Sequence, residues 1–341
     1  MKKGSIAKVI YKREVKGKVM RTGVIAAVTN DLLLVKFKNH TESFRLIDIL
    51  CEDEWVEVQI LQNKEWITIN KTNRDIEEMN MVKIIATDMD GTLLDSKKRL
   101  PKDFGYVLEK LDEKNVRFIV ASGRQYYNLR KQFEGYNQDL IYISENGSMV
   151  FDKGEIVYLS EISAEKLIKP VEIARKIKGA SIILCGEKSA YTENRGEFFT
   201  KHADMYYERL EVVDDVLDIV REGNDRICKI ALFHDENSEK YLSKEFSEVE
   251  DEFLISVSGE LWMDFMNIGV NKGTAIERIQ EAYDITYDET MAFGDYLNDY
   301  EMMQSCKYSY AMANAHPKLK EISNYQAKSN DEDGVMEVIK E

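Results

Sequence analysis

Short runs of apolar residues alternate with polar loops and amphipathic stretches from residue 82 to the end of the chain. Continuous apolar runs of this kind are typical of strands that a parallel sheet buries on both faces. Such runs end at Ala86, Ala121, Ile143, Phe293 and Met312. Because helical stretches separate them, the pattern predicts an α/β core with a Rossmann-like, doubly wound parallel sheet whose last strand ends at Met312.

The longest stretch without polar clusters at strand ends lies between residues 147 and 272. It predicts an inserted α+β domain over residues 160–266, joined by linkers near 158–162 and 267–271 to a core of residues 82–158 and 268–341. The predicted helices of the insertion cover residues 164–177, 195–203, 214–221 and 238–249. The predicted strands cover residues 182–185, 190–193, 206–210 and 227–233, with a final hairpin of 253–257 and 261–266.

Residues 1–78 carry shorter apolar segments separated by turn residues, as in all-β domains. The predicted strands cover residues 24–28, 32–37, 44–49, 56–60 and 66–69. They indicate a small domain of barrel type, SH3-like or OB-like, followed by a linker over 71–81. The first 40 residues hold ten Lys and Arg against two Asp and Glu, whereas residues 41–80 hold four against ten. Nucleic-acid binding by the basic arm, or an interaction module for a protein partner or a homo-oligomer, both stay open.

The whole chain has 341 residues, 44% hydrophobic content and a net charge of −15. The acidic balance argues against nucleic acid or an anionic membrane as the main partner of the part beyond residue 81. Four widely spaced cysteines without a Cys-x-x-Cys motif favour reduced thiols and a cytoplasmic location. We expect no membrane segment, because no apolar stretch is long enough to cross a bilayer and the first residues lack a signal core.

Two carboxylates follow the first apolar run of the predicted core, in the segment Asp88-Met89-Asp90-Gly91-Thr92. The carboxyl ends of strands are where open α/β sheets bind their ligands. One carboxylate there can attack phosphorus while the other gives and takes protons, provided that a cation offsets their charge. Surface acid pairs and calcium loops have similar sequences, so this pair alone leaves those alternatives open.

Two further segments carry polar residues where a predicted helix begins. Ser122-Gly123-Arg124 offers a hydroxyl that suits either a phosphoryl oxygen or the cap of the following helix. Lys272 opens another predicted helix, where a lysine is poorly placed unless an anion or carboxylates offset it. A solvated lysine is the alternative.

The last cluster, Asp295 with Asn298 and Asp299, is typical of a site for a hard cation with oxygen ligands. A phosphate dianion that faces several carboxylates would be repelled, so a divalent cation together with Lys272 is close to a requirement. We expect Mg²⁺, because the candidate ligands are oxygens and the four histidines stand singly.

Taken in this order, the motifs resemble those of the haloacid dehalogenase-like hydrolases, in particular the Cof-like phosphatases with a type IIB cap. The resemblance covers residues 82–341 and includes Glu145-Asn146-Gly147 and the tail over 331–335. It implies an inserted cap that closes over the strand ends, Mg²⁺ as cofactor, and hydrolysis through an aspartyl-phosphate. The substrates that it suggests are small phosphorylated metabolites, such as sugar phosphates, pyridoxal phosphate or flavin-pathway intermediates.

The resemblance also implies a role for each motif residue. Asp88 is expected to be the nucleophile, and Asp90 the acid that protonates the leaving group and then the base that activates water. Ser122 is expected to hold the phosphoryl group and Lys272 to neutralise charge. The expected metal ligands are Asp88, the carbonyl of Asp90, Asp295 and, in support, Asp299. The residues expected around phosphate and substrate are Met89, Gly91, Thr92, Gly123, Arg124, Asn146, Gly147 and Asn298.

Rival interpretations concern the cap and the function. Candidate substrate contacts in the cap are Arg195, Lys201, Arg226 and Lys229, although exposed basic side chains are more often solvated. A phosphosugar mutase is disfavoured, because mutases of the family carry their cap between the first two motifs and here one helix-sized span separates them. An ion-pumping ATPase is disfavoured because it lacks a proton-transfer group like Asp90. The remaining alternative is a ligand-sensing or regulatory protein whose N-terminal domain binds a partner or nucleic acid.

Overall fold

The structure is a computed structural model and describes residues 6–13, 17–28, 32–38, 41–45, 56–62, 65–68, 82–136 and 140–340. Two compact units divide the chain, Met1–Met81 and Val82–Glu341. The predicted linker over 71–81 and the end of the predicted strand over 44–49 lie outside the described residues. Among the helices that the structure describes, none has the length and apolar composition needed to span a membrane.

The first unit is all-β, as predicted. Its strands are β1 Ile6–Arg13, β2 Gly17–Val28, β3 Leu32–Lys36, β4 Thr41–Arg45, β5 Val56–Gln62 and β6 Glu65–Thr68. They pair antiparallel in the order β4-β3-β2-β1-β5-β6 and bury Val9, Ile25, Val35 and Val58. Strand β1 was not predicted, because basic residues interrupt its apolar positions. Closure into a barrel stays a prediction, since no pairing of β4 with β6 is found among the described residues.

The second unit alternates strands and helices. Its strands are β7 Ile84–Asp88, β8 Arg117–Ala121, β9 Ile141–Ser144, β10 Met149–Asp152, β11 Glu155–Leu159, β12 Ala180–Gly186, β13 Ala190–Thr192, β14 Leu210–Val212, β15 Ile227–His234, β16 Phe253–Gly259, β17 Trp262–Asn267, β18 Thr290–Gly294, β19 Tyr308–Met312 and β20 Tyr325–Ala327. Its helices are α1 Phe104–Glu113, α2 Tyr126–Gln132, α3 Ala164–Ala174, α4 Glu197–Ala203, α5 Val216–Arg221, α6 Ser238–Leu242, α7 Lys272–Tyr283, α8 Tyr300–Gln304, α9 Pro317–Ile322 and α10 Gly334–Lys340.

The larger sheet of this unit has the strand order β11-β10-β9-β8-β7-β18-β19-β20. Six neighbouring strands of this order run parallel: β9, β8, β7, β18, β19 and β20. The antiparallel hairpin β10–β11 extends one edge. The predicted doubly wound α/β class is therefore confirmed. The hairpin and β20 were not predicted: β11 is only partly buried and β20 has three residues, so neither leaves a clear apolar run. Met312 does not end the last strand.

A hydrophobic core fixes the sheet against its helices. Helix α1 buries four apolar side chains, and the ring of its Phe104 lies 5.5 Å from the ring of Phe118 on β8. Burying one such side chain contributes about 1.5–3 kcal/mol. Replacing Phe104 by Ala would cost about 3–5 kcal/mol, because a cavity adds to the lost transfer free energy.

A second sheet, with the order β14-β13-β12-β15-β17-β16, occupies the predicted insertion. Successive residues of β15 face opposite sides of this sheet. Ile230 and Leu232 pack in a cluster with side chains of α3, α5 and α6. Ala231 and Phe233 pack with side chains of α4 on the other side. Lys229 has the same parity as Ala231 and therefore lies on the α4 side.

The elements of the insertion occur in the predicted order with shifted ends. Helix α6 ends at Leu242 instead of residue 249, and β14 begins at Leu210 instead of residue 206. Phe246 and Val249, whose spacing suggested a longer helix, are buried in turns. The spacing of these apolar residues predicts that they are buried, and consecutive turns can bury them as well as a helix can. The exact domain boundaries near 160 and 266 stay predictions.

Candidate active site

Polar residues that the sequence predicts to share a site follow adjacent strands. Asp88 is the last residue of β7, Ser122 follows β8 directly, and Asp295 follows β18 directly. Strand β7 lies between β8 and β18 and runs parallel to both. The three residues therefore leave the sheet at its carboxyl edge, where α/β folds place their ligands.

Lys272 joins two of the acids. Its Nζ donates hydrogen bonds to Oδ1 of Asp88 at 2.5 Å and to Oδ1 of Asp299 at 2.7 Å. Lys272 is fully buried, and Asn271 caps its helix by accepting a hydrogen bond from the backbone N–H of Thr274 at 2.8 Å. Burial opposes the charged form, but the charges of Asp299 and Asp88 outweigh it and raise the pKa of Lys272. Lys272 is therefore a buried cation, and the solvated-lysine alternative is wrong.

Three carboxylates form one cluster. Asp88, Asp295 and Asp299 each offer an oxygen within 4.8 Å of the others. Burial, with the charge of Asp299 beside it, raises the pKa of Asp295 to about 6. Burial also raises the pKa of Asp88 against the opposing charge of Lys272, and the charges of Asp299 and Asp295 add to the rise. Mutually repelling carboxylates that offer oxygen ligands fit a hard divalent cation such as Mg²⁺.

Asp299 engages both of its carboxylate oxygens inside the protein. Oδ1 accepts from Lys272, and Oδ2 accepts from the backbone N–H groups of Asp295 and Tyr296 at 3.0 and 3.2 Å. These bonds order the loop that carries Asp295. Support of the candidate metal site through this loop suits Asp299 better than direct ligation, because three of its roughly four lone-pair sites already have partners.

Asp90 does not belong to this acid cluster. Arg124 holds its carboxylate with two hydrogen bonds, from Nε at 2.8 Å and from Nη2 at 2.6 Å. Lys98 Nζ donates a third hydrogen bond at 2.6 Å. Burial would raise the pKa of Asp90, but the hydrogen bonds and charges of Arg124 and Lys98 outweigh it and lower that pKa. Sequence analysis missed Lys98, which lies eight positions after Asp90 in a loop that no motif marks.

Two glycines permit close approach at the site. Gly91 has φ +90°, and a Cβ there would lie 2.3 Å from Oδ2 of Asp295. Gly147 has φ +102°, and a Cβ there would lie 2.2 Å from the carbonyl oxygen of Asn271. Thr92, beside Gly91, donates from Oγ1 to Oδ1 of Asp295 at 3.0 Å. Both predicted glycines are therefore sterically required, since a larger residue would displace the acid loop or the start of α7.

The loop after β8 is tied to the loop after β9. The backbone N–H of Asn146 donates to the carbonyl of Ser122 at 3.0 Å, and that of Glu145 donates to the carbonyl of Arg124 at 3.1 Å. Ser122 Oγ accepts from the backbone N–H of Arg124 at 3.2 Å. Helix α2 has Gln125 as its N-cap residue, so Ser122 does not cap it and that alternative is wrong.

The other residues predicted to contact phosphate or substrate differ in burial and in their hydrogen bonds. Met89 is fully buried in the hydrophobic core, so its side chain does not face a ligand. Asn298 is exposed and donates from Nδ2 to Oδ1 of Asn146 at 3.3 Å. Asn146 in turn donates to Oδ2 of Asp264 on β17 at 3.4 Å. Asn146 therefore links the acid loop to the inserted sheet.

Of the four basic candidates in the insertion, Lys229 lies against the larger sheet. Its Nζ is 2.5 Å from Oε2 of Glu145 and 3.6 Å from Oδ2 of Asp264, and it donates to the carbonyl of Gly123 at 3.2 Å. The remaining three candidates are exposed: Arg195, Lys201 and Arg226. Glu145 was noticed only as part of a motif, and Asp264 carried no signal beyond its charge.

Comparison with known proteins gives consistent matches. A family model described as haloacid dehalogenase-like hydrolase matches residues 85–339. The 5-amino-6-(5-phospho-D-ribitylamino)uracil phosphatase YbjI of Escherichia coli (strain K12) is 33% identical over 261 residues, which cover 76% of this chain and 95% of that protein. The crystal structure of SMU.1108c from Streptococcus mutans UA159 is 34% identical, with a TM-score of 0.67 over 76% of this chain and 98% of its own. The HAD subclass IIB sugar phosphatase BT4131 shares the fold, with a TM-score of 0.65 at 24% identity over 76% of this chain and 98% of its own.

Proposed function

This chain belongs to the haloacid dehalogenase-like hydrolases, and we propose that it is a Mg²⁺-dependent phosphatase that cleaves small phosphate monoesters through an aspartyl-phosphate. The observation that carries the proposal is the buried Lys272 between Asp88 and Asp299, with Asp295 beside them. Acids alone would repel a phosphoryl group, whereas acids that share a cation can bind and transfer one. Bound by Asp88, Asp295 and the carbonyl of Asp90, Mg²⁺ would supply charge neutralisation and orientation.

The proposal assigns each step to a residue. A carboxylate oxygen of Asp88 attacks phosphorus, the bond from phosphorus to the ester oxygen breaks, and Asp90 gives that oxygen a proton. Water then attacks phosphorus while Asp90 takes its proton. The bond from phosphorus to Asp88 breaks, which releases phosphate and restores the carboxylate. Ser122 and the backbone of Gly91 and Thr92 line the site of the phosphoryl oxygens in this proposal.

Arg124 prepares Asp90 for the second step. Its two hydrogen bonds orient the carboxylate and favour the ionised form, which is the form that accepts a proton from water. For the first step Asp90 must carry a proton. A bound phosphate ester supports this, because its negative charge opposes the ionised form of a nearby carboxylate.

For the substrate, we favour a phosphorylated intermediate of the flavin-pathway type. The support is the 33% identity to a phosphatase that acts on 5-amino-6-(5-phospho-D-ribitylamino)uracil. Sugar phosphates and pyridoxal phosphate are the competing substrates. The ligand-sensing alternative loses support, because a sensor does not need a buried lysine between two aspartates beside a third acid.

The test is phosphate release by the purified full-length chain from these three phosphate esters, with and without Mg²⁺. We expect metal-dependent turnover that the Asp88→Asn variant lacks, because an amide does not act as the nucleophile. Asp112→Asn, which changes an exposed aspartate of α1, is the matched control and should behave as the wild type. Turnover in Asp88→Asn would refute the nucleophile assignment, and activity that chelator leaves unchanged would refute the metal dependence.

A further inference from the structure

One buried cation of the inserted sheet reaches the larger sheet. Lys229 lies on β15, and its side chain is 3% exposed. Its ion-pair partner Glu145 follows β9 of the larger sheet and is fully buried, while its second acid, Asp264, belongs to the inserted sheet itself. Burial opposes the charge of Lys229, but the carboxylates of Asp264 and Glu145 outweigh it and raise the pKa of Lys229.

Protein groups surround the ammonium of Lys229. An ammonium has three N–H donors and no acceptor. Nζ lies 2.5 Å from Glu145 and 3.6 Å from Asp264, and it donates to the carbonyl of Gly123 at 3.2 Å. With these partners and almost no exposed surface, Lys229 is placed to hold protein groups together and not to contact a substrate.

The carbonyl that Lys229 holds belongs to the loop that serves the proposed chemistry. Gly123 lies between Ser122, the proposed phosphoryl ligand, and Arg124, which grips Asp90 through two hydrogen bonds. Both neighbours of Gly123 accept backbone hydrogen bonds from the Glu145 and Asn146 segment. Lys229 therefore contacts both loops, through Gly123 of the loop after β8 and through Glu145 of the loop after β9.

The loop after β9 needs such support. Glu145 and Asn146 have φ values of +49° and +55°, in the left-handed region that costs free energy for a residue with a Cβ. No other cation among the described residues forms an ion pair with Glu145. Without Lys229, the buried carboxylate of Glu145 would be uncompensated, and the loop would gain free energy by leaving this conformation.

We propose that Lys229 is a positioning residue through which the inserted domain fixes the Ser122 to Arg124 loop and, through Arg124, the orientation of Asp90. This inference rests on the proposed function of the same site. In it, the insertion acts as part of the catalytic scaffold in addition to the closing role that the family resemblance implies. Misplacement of reacting groups by about 1 Å can reduce turnover on the order of 100-fold, so the effect is large enough to measure.

Four full-length variants test this inference: Lys229→Met, Glu145→Gln, the double variant, and Lys176→Met as an exposed lysine of the same domain. Turnover of p-nitrophenyl phosphate with Mg²⁺ gives kcat and KM. We expect Lys229→Met to lower kcat roughly 10- to 100-fold with KM within about threefold. The double variant should recover several-fold of that loss, because it no longer buries an unpaired charge. Lys176→Met should match the wild type.

Two kinetic outcomes would overturn the proposal. If Lys229→Met raises KM and leaves kcat unchanged, Lys229 contacts the substrate instead of positioning the loop. If Lys229→Met keeps the kcat of the wild type, the loop does not depend on Lys229 for its position. Should Lys229→Met fail to fold, the double variant still tests the inference, since the hydrogen bond to Gly123 is lost and its kcat should stay below that of the wild type.

Hydrogen–deuterium exchange separates this inference from the proposed function, because it needs no turnover. In Lys229→Met, peptides over residues 120–126 and 143–148 should exchange faster, although the substitution lies in the other sheet. An increase confined to the inserted domain would refute the inference even if the wild type is an active phosphatase. Conversely, a wild type without Mg²⁺-dependent activity refutes the proposed function, while the exchange result still decides what Lys229 holds.

Discussion

Nζ of Lys272 lies 2.5 Å from Oδ1 of Asp88, although 184 positions separate the two residues along the chain. Both residues are buried, and Asp299 takes a second hydrogen bond from the same ammonium. Burial opposes the anionic form of the proposed nucleophile, and Lys272 favours that form with a charge that solvent does not screen. Removal of that cation should affect both folding and catalysis.

We expect Lys272→Met to abolish measurable turnover and to lower the free energy of unfolding by about 3–5 kcal/mol, because two buried carboxylates lose their partner. Denaturant unfolding without metal measures the second effect. Lys83→Met is the control: Lys83 pairs with Glu289 near the surface, with 44% of its side chain exposed, so the loss should be about 0–1 kcal/mol. Equal losses of unfolding free energy for the two variants would show that the buried ion pair stabilises the protein no more than the exposed one.

Arg124 and Lys98 both contact Asp90 but should differ in importance. Arg124 makes two hydrogen bonds and is 13% exposed, whereas Lys98 makes one and is 61% exposed. We expect Arg124→Gln to lower kcat on the order of 10- to 100-fold and Lys98→Gln by less than about threefold, since solvent replaces an exposed partner readily. Steady-state kinetics on one ester decides this. A larger defect in Lys98→Gln would contradict the assignment of Arg124 as the group that orients Asp90.

The binding of Mg²⁺ should weaken as the pH falls through about 6. The pKa of Asp295 is raised from 3.8 to about 6, so its ionised form is costly in the metal-free protein above pH 6, and protonation relieves that cost below it. Metal binding needs the ionised form. The increase in Tm caused by Mg²⁺ should therefore be larger at pH 7.5 than at pH 5, as thermal unfolding measures. An equal increase at both values would contradict the raised pKa.

Gly91→Ala should impair the metal site. The added methyl would collide with Oδ2 of Asp295, and the positive φ adds strain. We expect the Mg²⁺ concentration for half-maximal activity to rise on the order of tenfold. That factor corresponds to the free energy of about one hydrogen bond to an acid, which displacement of Asp295 would cost. Gly135→Ala is the matched control: it has φ +98° with open space around it, so it should cost stability without changing the response to Mg²⁺. Similar responses of the two variants would exclude the collision as the cause.

Deletion of residues 1–81 should leave hydrolysis intact. Residues 82–341 form a compact unit of their own, and the family model matches residues 85–339. We expect kcat/KM within about threefold of the full chain, since the proposed catalytic residues lie wholly in the second unit. Kinetics of the truncated chain against the full chain is the measurement. A truncated chain that folds, by circular dichroism, but has lost turnover would show that the first unit contributes to catalysis.

The strand ends were predictable from the sequence because parallel pairing brings them to one edge. Asp88, Ser122 and Asp295 each follow an apolar run, so their approach needs no knowledge of side-chain packing. Lys272 was predictable for a different reason: a lysine at the start of a helix is unfavourable unless carboxylates offset its charge. Their catalytic and metal roles stay predictions.

The residues that sequence analysis missed depend on contacts between distant segments. Lys98 meets Asp90 from an exposed loop, and Glu145 and Asp264 enclose Lys229 where the two sheets meet. No periodicity places these side chains, because loop conformation and the docking of one sheet on the other determine their contacts. Lys229 was predicted as a candidate only because it is basic, and its burial follows from its place on β15, whose residues are buried on both faces of the sheet.

The division of the larger sheet around an insertion has a consequence for how the protein matures at the ribosome. Strands β7 to β9 and both Asp88 and Asp90 emerge early, but Lys272 and strand β18 follow more than one hundred residues later. A nascent chain that ends before α7 carries Asp88 without the ammonium of Lys272, and five strands of the larger sheet without the other three. Pairing over such separations is slow to form. Competence for catalysis should therefore arise only after residues 272–327 have been synthesised and their strands have joined the sheet.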